Sequence, residues 1–346
     1  MALFQEDDNF FGLDLGASSV KLVQLKDIHG KPSLLTYGDI EIPFGLLSSD
    51  SPVDLDKLSD IIKRLADDAR VSTKNVIAAL PASFGYAAVI TTPRLSHEDL
   101  NNSIRFQADK YIPMPIDQVK LDYMVIGPKG NGETDEQEVL IVAAPTTLAN
   151  KYLGIVQKAG LELMALEITA IAEARSLMPP QSTTAVIVDI GSIATDLAVV
   201  SNQVPRLIRS LNIGSRSIVR VVAQNLGLAP DQAEQFVKKF GMSQTKLESQ
   251  VYKAVKPIAD NLADEIKKSI QFFQEHNPIK VEKIILTGGT SALLDLPAYL
   301  ANATGVMVEI GNPWVNVSYP HELEPKLSSI SLNYSGAVGL AMRGMG

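Results

Sequence analysis

The sequence predicts an α/β fold of two similarly built lobes, and three observations carry that expectation. The chain has 346 residues, more than one apolar core ordinarily organises and enough for two. Its apolar residues alternate between short continuous runs, as in buried strands, and three-to-four-residue spacing, as in helices packed upon them. One short pattern then occurs twice: Phe11-Gly12-Leu13-Asp14-Leu15-Gly16-Ala17-Ser18-Ser19-Val20, and Val186-Ile187-Val188-Asp189-Ile190-Gly191-Ser192-Ile193-Ala194-Thr195. Each is an apolar strand ending in Asp, an apolar residue, Gly and small residues. Apolar residues make up 46% of the chain and charged ones 20%, too apolar a balance for disorder, so both halves are expected to fold.

Residues 10–15 and 20–25 read as a hairpin around the turn Gly16-Ala17-Ser18-Ser19, with a third strand over 34–41. Leu55, Leu58, Ile61, Ile62 and Leu65 recur at helical spacing, and a buried strand resumes at 76–80. Between Pro81 and Pro145 the texture changes to short strands at 87–92, 121–126 and 138–144 around one helix, 96–111, with Ser96 as its N-cap. We read this as a small subdomain inserted at about 81–146, with loop 127–137 an exposed hairpin tip. Helix 147–159, strand 161–166 and helix 169–177 return the chain to the first lobe, 1–180, which closes at Pro179-Pro180. The second lobe, 181–330, opens with strands at 185–190, 195–201 and 204–212. Helices over 217–226, 230–240 and 247–276 follow, and a helical subdomain is expected at about 227–279. Pro257 should kink the long helix or mark two helices end to end. Strand 283–287, helix 293–303 and strand 306–310 complete this lobe, and in the last segment, 331–346, a Gly- and Ala-rich helix at 334–342 returns to the first lobe.

Composition excludes several function classes. A net charge of −8 without a basic run argues against tracking nucleic-acid phosphates. With no cysteine there is no disulfide, thiolate metal site or thiol nucleophile, and the four histidines are scattered. The N-terminus carries Glu6, Asp7 and Asp8 where a secretory signal needs basic residues, so export is not expected. No apolar run approaches the roughly 20 residues that cross a bilayer, so membrane association should come through a partner.

The repeated pattern has a chemical reading. Each copy sets a carboxylate at a strand end, before a turn whose Gly16 or Gly191 and small neighbours free backbone N–H groups to meet an anion. That is a phosphate cradle. Asp14 and Asp189 would repel phosphate, so their sensible role is to hold, through water, a magnesium ion bridging phosphate oxygens. A lone Asp-x-Gly is also simply a turn sequence; two copies, one opening each half, weigh against that reading. A third glycine site, Thr287-Gly288-Gly289-Thr290, ends another buried strand. It serves as a strand-to-helix turn or lets backbone approach a nucleoside closely.

These three motifs, in this order, resemble the phosphate-1, phosphate-2 and adenosine motifs of the actin-like ATPase superfamily, and the resemblance spans essentially the whole chain. It implies duplicated ribonuclease H-like lobes closing on ATP and magnesium. On that likeness Lys21 reaches the β- and γ-phosphates, its alternative being a solvent-facing strand lysine, and Ser18 and Ser19 offer donors to phosphate. Asp196 and Gly214 join the second-lobe cofactor contacts. Glu167, in a segment similar to the interlobe connection, orients the attacking water or caps the helix that follows. Ala233-Glu234 is similar to the family's nucleoside-contacting helix, but the expected lysine position holds Val237, so the lysine that would lie along the adenine is missing or shifted to Lys238. Glu234 then contacts the ribose, or is an ordinary acid on a helix surface.

The insertion after the 76–80 strand resembles that of PilM, the type IV pilus assembly family, and of the division protein FtsA. The stretch from Phe106 to Pro115, followed by Val119-Lys120-Leu121-Asp122-Tyr123, is similar to a recurrent PilM stretch, although a helix stopped by two prolines also explains it. FtsA-like chains end in a membrane helix, whereas this one ends at Met342-Arg343-Gly344-Met345-Gly346, which favours PilM. The likeness implies a protein peripheral to the cytoplasmic face of the inner membrane. It would bind the N-terminal cytoplasmic peptide of a PilN-like membrane protein in a groove between the insert and the rest of the first lobe. Other platform proteins and motor ATPases are further implied partners, an oligomer or filament is allowed, and ATP hydrolysis is expected to be slow or absent. Two alternatives remain: a filament former like FtsA or MreB, and a small-molecule kinase of the same superfold, for which the insert offers no convincing base.

Overall fold

The computed structural model of the chain describes residues 9–129, 135–179 and 183–345. Its first sheet contains β1 (Phe11–Leu15), β2 (Ser19–Asp27), β3 (Pro32–Glu41), β4 (Asn75–Leu80) and β8 (Glu162–Ile168), ordered β3-β2-β1-β4-β8. The first three strands are antiparallel, and β4 and β8 run parallel to β1 and to each other. The second sheet contains β9 (Ala185–Ile190), β10 (Thr195–Ser201), β11 (Val204–Leu211), β12 (Lys283–Thr287) and β13 (Met307–Ile310), ordered β11-β10-β9-β12-β13. Its strand directions repeat those of the first sheet. The repeated motif therefore lies at the same place in each sheet, with Asp14 near the end of β1 and Asp189 near the end of β9. Alternation is absent from β1, β4 and β9 because both faces of these central strands are covered.

Helices cover the sheets. In the first lobe α1 (Pro52–Ala69) and α3 (Thr146–Lys158) bury Leu58, Ile62, Tyr152 and Ile155 against Leu13, Leu22 and Val76. In the second, α5 (Ser215–Leu226), α6 (Pro230–Phe240), α7 (Gln250–His276) and α8 (Leu296–Thr304) bury Val222, Val237, Ile266 and Leu300 against Val186, Val188 and Ile284. The α7 helix passes through Pro257 as one element rather than two. Val251, Val255 and Ala259 are buried on both sides of the proline, and that packing outweighs one missing ladder bond.

The third sheet, β5-β7-β6, consists of β5 (Tyr86–Pro93), β6 (Val119–Pro128) and β7 (Glu136–Pro145), with α2 (His97–Ala108) packed on Ile90, Val139 and Ile141. Ser96 caps α2 by accepting a hydrogen bond from Asp99 N–H at 3.1 Å. The helix stops at Ala108, short of 111, because Asp109–Tyr111 tighten into a turn before the prolines. The tip of the predicted 127–137 loop, 130–134, lies outside the described residues, as does Pro180 of the expected lobe boundary. Helix 293–303 begins later than expected: Gly289–Ala292 form a 3-10 turn and α8 starts at Leu296.

The C-terminal stretch joins the lobes. Trp314, Val317 and Leu327 of α9 (Glu324–Ile330) make a small core with Val23, Leu25 and Tyr334. Beyond it, α10 (Ser335–Ala341) lies wholly buried between β1 and α4 (Thr169–Leu177). The approach is so close that a Cβ on Gly339 would run into the carbonyl oxygen of Ala172.

Candidate functional site: two facing hairpins

Each hairpin turn is held by one backbone bond, Gly16 N–H to Ser19 C=O and Gly191 N–H to Ala194 C=O, both 3.0 Å. Across the first hairpin Asp14 pairs in register with Lys21, whose Nζ donates to Ser19 Oγ at 2.8 Å. Across the second, Asp189 pairs with Asp196. Ser18 accepts Ile42 N–H at its carbonyl, which ties the first turn to the end of β3. Gly214 begins α5 with its backbone packed on Ser192 and Ile193, and Ser215 N–H donates to Gly191 C=O at 3.0 Å.

The glycine-rich third motif adjoins the second. Strand β12 pairs Thr287 with Asp189, and Gly288, at φ +82°, presses so close to Asp189 Oδ1 that a Cβ would overlap it. Thr290 Oγ1 donates to Gly191 C=O at 3.2 Å, and Gly288 N–H donates to Leu332 C=O at 2.8 Å. Gly289 faces Asn333 at close range. The C-terminal segment thus touches the third motif, and through Gly336 it also touches Asp14.

The hairpins converge enough for their acids to feel one another. Burial pushes the Asp14 carboxyl up, against the pull of Lys21. Asp189 is pushed up to about 7, first by burial, then by Asp196 and Asp14, with Lys21 opposing. Asp196 is raised by burial although Ser210 and the Ala82 backbone bond to it, and its Oδ1 is buried without a hydrogen-bond partner. The fourth acid is Glu173 of α4, only 3% exposed and held well above the usual carboxylate range by burial, Asp189, Asp196 and Asp14. Ser335 Oγ donates to Glu173 Oε1 at 2.9 Å and receives Thr287 Oγ1 at the same distance. Tyr152, buried beside Asp14, has its hydroxyl pushed up by both burial and that charge.

Buried Glu173 and three half-buried aspartates, only two of which feel Lys21, with an orphaned carboxylate oxygen among them, fit a site completed by positive charge. Among the described residues no three His, Asp or Glu side chains come together as a direct metal cage, so a cation here would be held through water.

Three sequence-predicted residues stand elsewhere. Glu167 is occupied: Arg175 donates to both its oxygens, at 3.0 and 2.6 Å, and to Gly339 C=O at 2.5 Å, making a strut between β8, α4 and α10. It does not cap α4, whose N-cap is Ile168 with no side-chain bond. Glu234 and Lys238 form an exposed pair at 2.7 Å along α6, in keeping with the surface-acid reading of Glu234. Two residues past the end of that helix, Met242 N–H donates to Leu294 C=O, in the segment that follows the third motif. Glu173, Ser335 and Gly336 escaped the sequence reading. The available signal was one acid within the otherwise small and apolar run Ala170-Ile171-Ala172-Glu173-Ala174.

A second feature lies at the insert. A cavity of about 150 Å³ is lined by Tyr86, Tyr111 and Ile141 of the insert, Ile168 of the first lobe, and Ile208 and Ser210 of β11. Arg206 of β11 pairs with Glu138 of β7 across the same seam. The cavity thus has walls from the insert, the first lobe and the second lobe.

Among solved structures, the PilM–PilN type IV pilus biogenesis complex is similar over 98% of this chain and 99% of that one, at 27% identity and a TM-score of 0.83. The ethanolamine utilization protein EutJ of Carboxydothermus hydrogenoformans shares the fold at 18% identity and TM-score 0.58, over 96% of this chain and 89% of that one. MreB 5 of Spiroplasma citri bound to AMPPNP shares it at 14% identity and TM-score 0.51, over 97% and 95%. The fold is therefore the actin-like one. The model of the family described as type IV pilus assembly protein PilM matches residues 12–345, and the chain belongs to that family.

Proposed function

We propose that the chain is an ATP-binding scaffold of the type IV pilus assembly platform, peripheral to the cytoplasmic face of the inner membrane, which holds the N-terminal cytoplasmic peptide of a PilN-like membrane protein. The observation that carries the nucleotide half is the pair of like hairpins bringing Asp14, Asp189 and Lys21 into one half-buried cluster. Turn N–H groups and Lys21 would take the phosphates, Gly288 and Gly289 the nucleoside, and Asp14 and Asp189 the waters around magnesium. When bound, magnesium supplies charge that offsets the triphosphate and the acids together. Glu167, the residue expected to orient water, is paired to Arg175, in keeping with slow or absent hydrolysis.

The partner half draws support from the similar PilM–PilN complex and from the seam cavity, whose lining of apolar side chains beside Arg209 and Ser210 suits one large side chain of an extended peptide. No helix among the described residues is long and apolar enough to cross a membrane, in keeping with attachment through a partner. The test titrates a fluorescent ATP analogue with magnesium, and in parallel a synthetic peptide copying the cytoplasmic end of a PilN-like protein. Saturable ATP binding lost in both Asp14→Ala and Asp189→Ala, with peptide binding retained, is expected; ATP binding indifferent to both substitutions would overturn the site.

A further inference from the structure

Beyond β3 the chain turns through residues 42–50, and Phe44 stands in that turn 58% exposed, outside every core. Its ring lies under the guanidinium of Arg216, with Cζ 3.5 Å from the ring centroid. The two residues come from different lobes, Phe44 from the first and Arg216 from the first turn of α5 in the second. Each is anchored to one phosphate hairpin. Ile42 N–H donates to Ser18 C=O at 3.0 Å, and Arg216 N–H donates to Ser192 C=O at 3.1 Å. The contact therefore spans the two turn tips, where the cleft between the hairpins opens.

Neither residue is explained by the stability of its own lobe. An aromatic ring that is mostly exposed contributes little to burial, and a cation in a helix's first turn opposes the helix dipole. Among the described residues Arg216 makes no ion pair. What the two gain is each other, since an arginine over an aromatic face is attracted even in water.

We propose that Phe44 and Arg216 form a clasp across the mouth of the cleft, holding the lobes closed and setting the rate at which bound nucleotide leaves. The release part rests on the nucleotide reading above; the closure part does not. An exposed contact of this kind corresponds to about a two- to fivefold change in an equilibrium, and opening must precede release.

The chain has no cysteine, so Ser48→Cys and Gln224→Cys, at exposed positions in the first and second lobes, give two unique spin-label sites for distance measurement. In ligand-free protein, Phe44→Ala and Arg216→Ala should each shift the population toward longer distances. Each should also speed release of a fluorescent ATP analogue about two- to fivefold, and the double variant should match the singles. Unchanged distances in Phe44→Ala overturn the clasp whether or not nucleotide binds. So does faster release in Arg216→Ala alone, which would make Arg216 a phosphate contact, or effects that multiply in the double variant. Absence of nucleotide binding to the parent protein would instead defeat the site reading and leave the distances to decide the clasp.

Discussion

Glu173 is the residue that most changes the picture of the cleft. A carboxylate buried among three others is stable only if protonated or matched by positive charge, and Lys21 cannot serve all four. Because Asp189 titrates near 7 in the folded chain and near 3.8 unfolded, its contribution to stability is complete below about pH 4 and is lost as pH rises through 7. Urea midpoints measured in EDTA without nucleotide should therefore fall between pH 5.5 and pH 8. Asp189→Asn should flatten that fall. Over the same window Asp54, Asp260 and Glu265, whose values are lowered by hydrogen-bonding partners, stay ionised and add no slope. Glu173→Gln keeps an acceptor for Ser335 and removes a charge that burial disfavours, so it should raise the midpoint, and more at pH 8 than at pH 5.5. A lower midpoint at both would mean that Glu173 is held by a cation instead.

At the level of elements, α10 is the piece on which the site depends. It packs on β1 and α4 through small residues, places Ser335 between Glu173 and Thr287, and receives Arg175 at Gly339. Gly339→Ala should destabilise the protein by about 1–3 kcal/mol through overpacking, read as a urea-midpoint shift followed by Trp314, the only tryptophan. Alanine at Gly30, where nothing lies near a Cβ, should cost less, about 1 kcal/mol, through its φ of +79° alone. Most elements were legible from periodicity, and 230–240, 185–190 and 283–287 form with the bounds their patterns implied. Segment 311–333 was not legible. Its core residues Trp314, Val317 and Leu327 follow neither a helical nor a strand period, and only the surface they meet, Val23, Leu25 and Tyr334, makes them core.

At the level of the molecule, two lobes of one design meet over a cleft, with the C-terminal segment lying between them. A ligand that touches both hairpins should stabilise the closed arrangement by mass action, adding about 2.7 kcal/mol at a hundredfold excess over its Kd. ATP with magnesium should therefore raise the thermal midpoint of the parent protein and leave that of Asp14→Ala/Asp189→Ala unmoved. An equal rise in both would place the nucleotide elsewhere. Because the seam cavity has walls from insert, first lobe and second lobe, a peptide seated there would also respond to how the lobes sit.

The amino-acid order by itself determined the duplicated α/β plan, the two aspartate hairpins and the glycine motif, because each rests on local patterning: strand period, turn chemistry and a residue's own backbone freedom. What only the tertiary structure decided is which acids share the cleft. Glu167 and Glu173 lie six residues apart on adjoining elements, yet one is neutralised by Arg175 and the other is buried against Asp189. No local rule separates them, since the charge and burial that distinguish the two come from residues far along the chain.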